Sequence, residues 1–149
     1  METNRWKQEG KFYLWNYVPE NKNYHGFHCS ADIEGAESFC ALLKLLESDG
    51  RSQKKTVSLA PPSESNFSVV GCKLKPVSSE KLVLSYVFGA TEENVWELKS
   101  ENGKTEISFG LSYLHMLSAG ASGIIKGKGD YCIGKKEESL WLWWQPKVS

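Results

Sequence analysis

Residues 129–145 read Gly-Asp-Tyr-Cys-Ile-Gly-Lys-Lys-Glu-Glu-Ser-Leu-Trp-Leu-Trp-Trp-Gln, two apolar runs separated by four charged residues. Short apolar runs on either side of a charged turn predict a β-hairpin. A turn closed by Gly134 and Ser139 would set the register of the two strands. Cys132 then faces Trp141, and both faces of the second strand are apolar. Such a strand usually lies inside a sheet that is covered on both sides.

Alternation divides the side chains of the second strand between two faces. Leu140, Leu142 and Trp144 share one face, which we predict to be part of the core. Trp141 and Trp143 share the other, which either packs in the core or forms a binding surface. That choice is the main functional question raised by the sequence.

The length of 149 residues predicts one domain with a core that needs no cross-links. We assign residues 1–10 to a polar lead-in that is loosely held, although Trp6 could dock on the body of the protein, and residues 11–149 to a single domain. Aromatic residues make up 12% of the chain, with six Trp. Because aromatic side chains favour strands, this content predicts a sheet-rich scaffold.

The remaining pattern predicts strands and two helices. Residues 33–48 carry apolar residues at steps of three and four, which predicts an amphipathic helix; Ser30 or Asp32 could cap its N-terminus, and Gly50 its C-terminus. Residues 111–118 predict a short second helix, and Asn102-Gly103 predicts a type I′ hairpin turn. We therefore predict an α+β fold: a single twisted, mainly antiparallel sheet of about 7–9 strands with one long and one short helix.

Two segments between these elements are predicted to be connections. Residues 76–79 would link two neighbouring strands at 67–75 and 80–88. Residues 119–129 contain four Gly and would form a flexible link into the C-terminal hairpin.

Charge and composition exclude several classes of partner. The chain has 18 basic and 18 acidic residues, only two of them Arg, and no basic block, so we predict no nucleic-acid binding. No apolar run approaches the roughly 18 residues of a membrane span, and the polar N-terminus lacks the apolar region of a secretory signal. Four isolated Cys are typical of thiols rather than a disulfide framework. We predict a cytoplasmic protein without membrane contact.

Histidines and carboxylates are the candidates for a chemical site. His25 and His28 are three apart, so on a strand they point to opposite faces and do not jointly bind a metal. A small enzyme would use Asp130, His115 or His25 near the C-terminal hairpin. No Gly-x-Ser-x-Gly motif is present, and each of these residues has an ordinary structural explanation. We predict no metal, no cofactor and no catalytic residue.

Aromatic side chains are the remaining signal. Tyr13, Trp15 and Tyr17 lie on one face of a strand predicted at residues 11–18. If that strand neighbours the last one, these rings form a continuous patch with Trp141 and Trp143. We favour core packing under a helix, because large aromatic side chains are usually buried. If the patch is exposed, it marks a binding site for a partner or ligand.

These observations favour a non-enzymatic, small intracellular binding protein with a protein partner. One concrete version is a bacterial immunity-type protein that binds and blocks a toxin, an expectation that rests on size and architecture alone. The alternatives are the small enzyme and a carbohydrate-binding module that uses exposed Trp faces. A pocket with a contacting His and carboxylate would favour the enzyme, whereas a flat aromatic or acidic surface would favour protein binding.

Overall fold

The computed structural model describes residues 5–18, 26–63, 66, 75–127, 130–135 and 138–143, without the side chains of Val18, Lys75 and Asp130. This part of the chain forms an α+β fold. Neither of its helices is long and apolar enough to cross a membrane. The strands are β1 (Phe12–Val18), β2 (Phe27–Ala31), β3 (Gln53–Ser58), β4 (Lys75–Ser78), β5 (Lys81–Tyr86), β6 (Trp96–Glu101), β7 (Lys104–Phe109), β8 (Asp130–Ile133) and β9 (Leu140–Trp143); the helices are α1 (Ile33–Asp49) and α2 (Leu111–Ile125).

The strands form two sheets, so the prediction of a single sheet is wrong. The first sheet has five strands in the order β4-β1-β2-β9-β8, and the second has four in the order β3-β5-β7-β6. Each sheet is mixed, because β2 pairs with β9 and β5 pairs with β7 in parallel. The strand predicted at residues 67–75 lies outside the described residues except for Lys75.

The chain crosses from one sheet to the other between two consecutive residues. Ser79 N donates to Leu14 O in the first sheet (3.0 Å), and Glu80 N donates to Gly103 O in the second (2.7 Å). The predicted link at 76–79 is therefore largely strand β4, which lies at the edge of the first sheet. Pro76 is compatible with that position, because an edge strand tolerates the loss of one N–H.

The main core of the described residues lies between the two sheets and the two helices. The apolar faces of β1, β2, β8 and β9 contact it from one sheet, and those of β3, β5, β6 and β7 contact it from the other. Leu140 and Leu142 are buried in it, which confirms their predicted core role, whereas Trp144 lies outside the described residues. The members of this core that are at most 1% exposed are Leu14, Cys29, Ala31, Ala36, Leu42, Leu43, Leu46, Leu82, Leu84, Ile107, Phe109, Leu114, Leu117, Ala121, Ile133 and Leu142.

Of the two candidate N-caps of α1 the helix uses Asp32, and the predicted C-cap Gly50 is confirmed. At the N-terminus Asp32 Oδ1 accepts from Gly35 N (2.7 Å), and it also accepts from Lys11 N (2.9 Å). At the C-terminus Gly50 is left-handed, with φ of 58°. Because one carboxylate oxygen holds both the first turn of α1 and the chain that enters β1, Asp32 joins the N-terminal segment to the domain.

We expect Asp32→Ala to lower the free energy of unfolding by about 2 kcal/mol, since it removes a helix cap and a second hydrogen bond to a charged group. Urea denaturation followed by circular dichroism measures the loss. Asp32→Asn is the matched control, because its amide oxygen can accept the same two bonds and should cost less than about 1 kcal/mol. Equal losses for both variants would contradict the capping role.

Helix α2 is longer than the helix predicted at residues 111–118, and it includes most of the predicted flexible link at 119–129. Gly120 lies inside the helix against Leu142 of β9. A Cβ added at Gly120 would come within 2.8 Å of Leu142 Cδ2. The glycine is therefore required for close approach of helix and sheet rather than for flexibility, which local sequence patterns do not distinguish.

Both predicted hairpins are confirmed in register. Asn102 and Gly103 have φ of 51° and 80°, as a type I′ turn requires, and Glu101 pairs with Lys104. In the C-terminal hairpin Cys132 pairs with Trp141, and β9 lies inside its sheet as its two apolar faces indicated.

Candidate functional site

The predicted aromatic patch lies on the face of the first sheet that points away from the two helices. Strands β1 and β9 are not direct neighbours, because β2 runs between them. In the register of the sheet, His28 of β2 lies opposite Trp15 on one side and Trp141 on the other. The patch is therefore centred on a histidine that the sequence analysis had considered only as a metal ligand.

Four rings form a nearly parallel row across the three strands. Trp15 and His28 are 5.9 Å apart at 20°, and His28 and Trp143 are 6.1 Å apart at 21°. Trp141 continues the row at 5.7 Å and 18° from Trp143, while Tyr17 meets His28 edge-on at 5.0 Å. Stacked and edge-to-face rings at these spacings attract one another in addition to their burial.

Two hydrogen bonds fix the row. Trp143 Nε1 donates to His28 Nδ1 (3.0 Å), so this imidazole nitrogen carries no proton and the neutral ring holds its proton on Nε2. Ser30, two residues further along β2, donates from Oγ to Trp143 O (2.8 Å). The side chains of β2 thereby orient the end of β9.

The burial of this row determines what it can do. Trp15 and His28 have no exposed surface, and Trp143 is only 5% exposed. Tyr13 and Tyr17 are also buried, and Trp141 is half-buried. The structure thus brings the five predicted residues together, mainly as a second buried cluster on the face that points away from α1 and α2. Their faces stack on one another, so we do not propose carbohydrate binding.

Of the three residues considered for catalysis, the described part of the chain includes the side chain of His115 alone. His25 and the side chain of Asp130 lie outside the described residues. His115 Nε2 lies 2.9 Å from Glu47 Oε2, which joins the first turns of α2 to the last turn of α1. The two side chains are 58% and 46% exposed. Within the described residues, Glu47 is the only hydrogen-bond partner of the His115 side chain.

The thiols of Cys29 and Cys40 have little nucleophilic character. Burial raises the pKa of the Cys29 thiol well above its usual value. Partial burial also raises the pKa of Cys40, although Lys44 opposes this effect. Because the thiolate is the reactive form, burial makes both thiols less reactive than an exposed one. Among the described residues no three His, Cys, Asp or Glu are arranged to hold a metal ion.

An open cleft of about 340 Å³ lies between the N-terminal segment and the first half of α1; we call it the α1 cleft. Trp6 Nε1 donates to Ser38 O (2.9 Å), and Glu9 N donates to Ser38 Oγ (3.0 Å). These bonds hold the segment against the helix, in agreement with the alternative that Trp6 docks on the body of the protein. The cleft is lined by Trp6, Lys7, Glu9, Glu34, Glu37, Ser38 and Ala41.

The α1 cleft combines an aromatic ring with an excess of negative charge. Glu9, Glu34 and Glu37 contribute three carboxylates, and Lys7 contributes one ammonium group. Ile33, four residues before Glu37 on the helix, is 59% exposed and adds an apolar residue beside the rim. Sequence analysis missed this site, because residues 1–10 were assigned to a lead-in and no cleft between them and α1 was predicted. Trp6 in a polar segment was the available signal.

Neither protein-family models nor curated proteins match the sequence. The function is therefore inferred from the geometry and chemistry of the chain itself.

Proposed function

We propose that this chain is a non-enzymatic binding protein, and that a protein partner inserts a Lys or Arg side chain into the α1 cleft. The single observation that carries the proposal is the meeting of Trp6 with three carboxylates at one cleft on the helix surface. One specific version is a bacterial immunity-type protein that covers a basic surface of a toxin.

The chemistry of the cleft suits a basic side chain. A carboxylate forms short, charge-assisted hydrogen bonds with a guanidinium or ammonium group, and an indole face attracts the same cation. Trp6 is already held by Ser38, so the ring loses little freedom when a partner binds. Buried aromatic anchors surrounded by polar contacts are typical of the residues that dominate binding energy in protein interfaces.

The contact between His115 and Glu47 does not favour an enzyme equally well. Both side chains are about half exposed to water, whereas catalytic groups are usually enclosed in a cleft. Glu47 lies in the last turn of α1, where the partial negative charge of the helix end disfavours a carboxylate, and the hydrogen bond with His115 offsets this effect. This gives the pair a structural explanation.

Site-specific photo-cross-linking tests the proposal in cells that naturally produce the protein. A benzophenone amino acid replaces Ala41, which is exposed at the rim of the cleft. We expect a cross-link to one protein, and loss of that cross-link when Glu34→Lys and Glu37→Lys reverse the charge of the rim. The captured protein is then purified, and its activity is measured with and without this chain.

Controls use the outer face of the second sheet. The same probe at Lys99, whose side chain is 77% exposed, should not form this cross-link. Reversal of Glu97 and Glu101 to Lys should leave the Ala41 cross-link unchanged. A missing Ala41 cross-link, or one that survives reversal of the rim, would contradict binding at the cleft. A captured protein whose activity is unaffected would contradict only the immunity-type version.

A further inference from the structure

Strand β3 is one edge of the second sheet. Every second residue of this strand directs its backbone N–H and C=O groups away from β5, its neighbour in the sheet. Leu59 N donates to Glu80 O (3.1 Å), so the odd-numbered residues of this strand face β5. In an antiparallel ladder the residues between them direct N–H and C=O away from the partner strand. Lys54, Thr56 and Ser58 therefore present their backbone groups at the open edge.

The side chain of Gln8 already occupies one of these positions. Gln8 Nε2 donates to Ser58 O (2.7 Å), and Ser58 N donates to Gln8 Oε1 (2.8 Å). The carboxamide thus makes the two hydrogen bonds that the backbone of a neighbouring strand would make. The edge is consequently shaped for strand pairing, and Gln8 closes it at the Ser58 end.

The open part of the edge carries positive charge. Arg51 and Lys54 are exposed and Lys55 is half-buried, so three cations lie within five residues. Lys54 contacts Glu106 on the outer face at 3.5 Å, but its side chain remains 64% exposed. Lysines on an edge strand discourage pairing with another copy of the same edge. They favour a segment of opposite charge.

We propose that the edge of β3 binds an extended, acidic segment of a protein partner as an added strand, with its backbone paired to Lys54 and Thr56. Backbone hydrogen bonds would supply affinity, and acidic side chains beside Arg51 and the two lysines would supply selectivity. This surface differs from the α1 cleft in place and in the sign of its charge, so either can fail without the other.

Selection from a phage-displayed library of random heptapeptides tests the proposal on the intact chain. We expect the selected peptides to carry Asp or Glu at alternate positions. A synthetic copy of one such peptide should shift the amide NMR signals of Lys54 and Thr56. Thr56→Pro removes an N–H that points away from β5, so the sheet keeps its ladder while the peptide binds about tenfold more weakly or worse.

Three further variants complete the test. Thr56→Val keeps the N–H and should bind like the wild type, whereas Gln8→Ala frees Ser58 and should tighten binding. Reversal of Arg51, Lys54 and Lys55 to Glu should abolish selection of acidic peptides even if the proline variant does not fold. No enrichment, equal binding to Thr56→Pro, or a concentration-dependent dimer in sedimentation would overturn the proposal.

Discussion

Trp143→Ala is expected to lower the free energy of unfolding by about 3–5 kcal/mol. The side chain is 5% exposed, stacks on His28 and Trp141, and donates a hydrogen bond to His28 Nδ1. Its removal leaves a cavity among rings that β1, β2 and β9 hold in place. Chemical denaturation followed by circular dichroism measures the effect, with the slope of the transition checked for a change in the unfolded state.

Two further variants separate the contribution of the hydrogen bond to His28 from that of the buried rings. Trp143→Phe keeps an aromatic ring but loses the N–H that His28 accepts, so we expect an intermediate loss. Trp141→Ala removes the half-buried end of the row and should cost less than Trp143→Ala. A loss below about 1 kcal/mol for Trp143→Ala would mean that this face is a solvent-exposed surface, as surface substitutions usually have small effects.

Leu142→Ala, on the opposite face of β9, should cost about 2–5 kcal/mol. Leu142 is fully enclosed in the main core and contacts the backbone of α2 at Gly120. Gly120→Ala alone should also destabilise the protein, by about 1–3 kcal/mol, because its methyl group would overlap Leu142 Cδ2. Both losses are measured by the same denaturation experiment.

The double variant Gly120→Ala with Leu142→Ala tests the direct contact between α2 and β9 more specifically than either single variant. The new methyl group would enter the space that Leu142 leaves, so we expect the double variant to lose less stability than the sum of the two single variants. A coupling of about 1 kcal/mol or more is typical of side chains in direct contact. Additive losses would contradict the close approach of α2 to β9.

If Trp143 and Leu142 both prove structural, both faces of β9 belong to the folded core. The search for a partner surface then moves to α1 and β3, where charged side chains and open backbone groups remain in contact with water. The α1 cleft is acidic, and the β3 edge is basic. A chain with a formal net charge of zero therefore carries two local surfaces of opposite sign.

Local sequence patterns determined much of this protein. The Asn102-Gly103 turn fixed the register of its hairpin, because only a few residue types accept positive φ at both positions. Asp32 and Gly50 determined where α1 begins and ends, through groups within one turn of the helix. The apolar faces of β9 predicted its place inside a sheet. In each case the deciding interactions join residues that are close in the chain.

Tertiary structure alone decided how these pieces combine. The pairing of Cys29 with Leu142 places β2 between β1 and β9 and brings His28 into the aromatic row, and no turn connects those strands to specify it. No local sequence signal specifies the division into two sheets or the docking of the N-terminal segment either. In that docking, Gly35 allows the backbone of Lys11 to approach α1 closely. Such contacts form between segments that are distant in the chain. Each apolar face alone could pack against several other faces, so the pairing is decided by which faces fit together in shape in the assembled core.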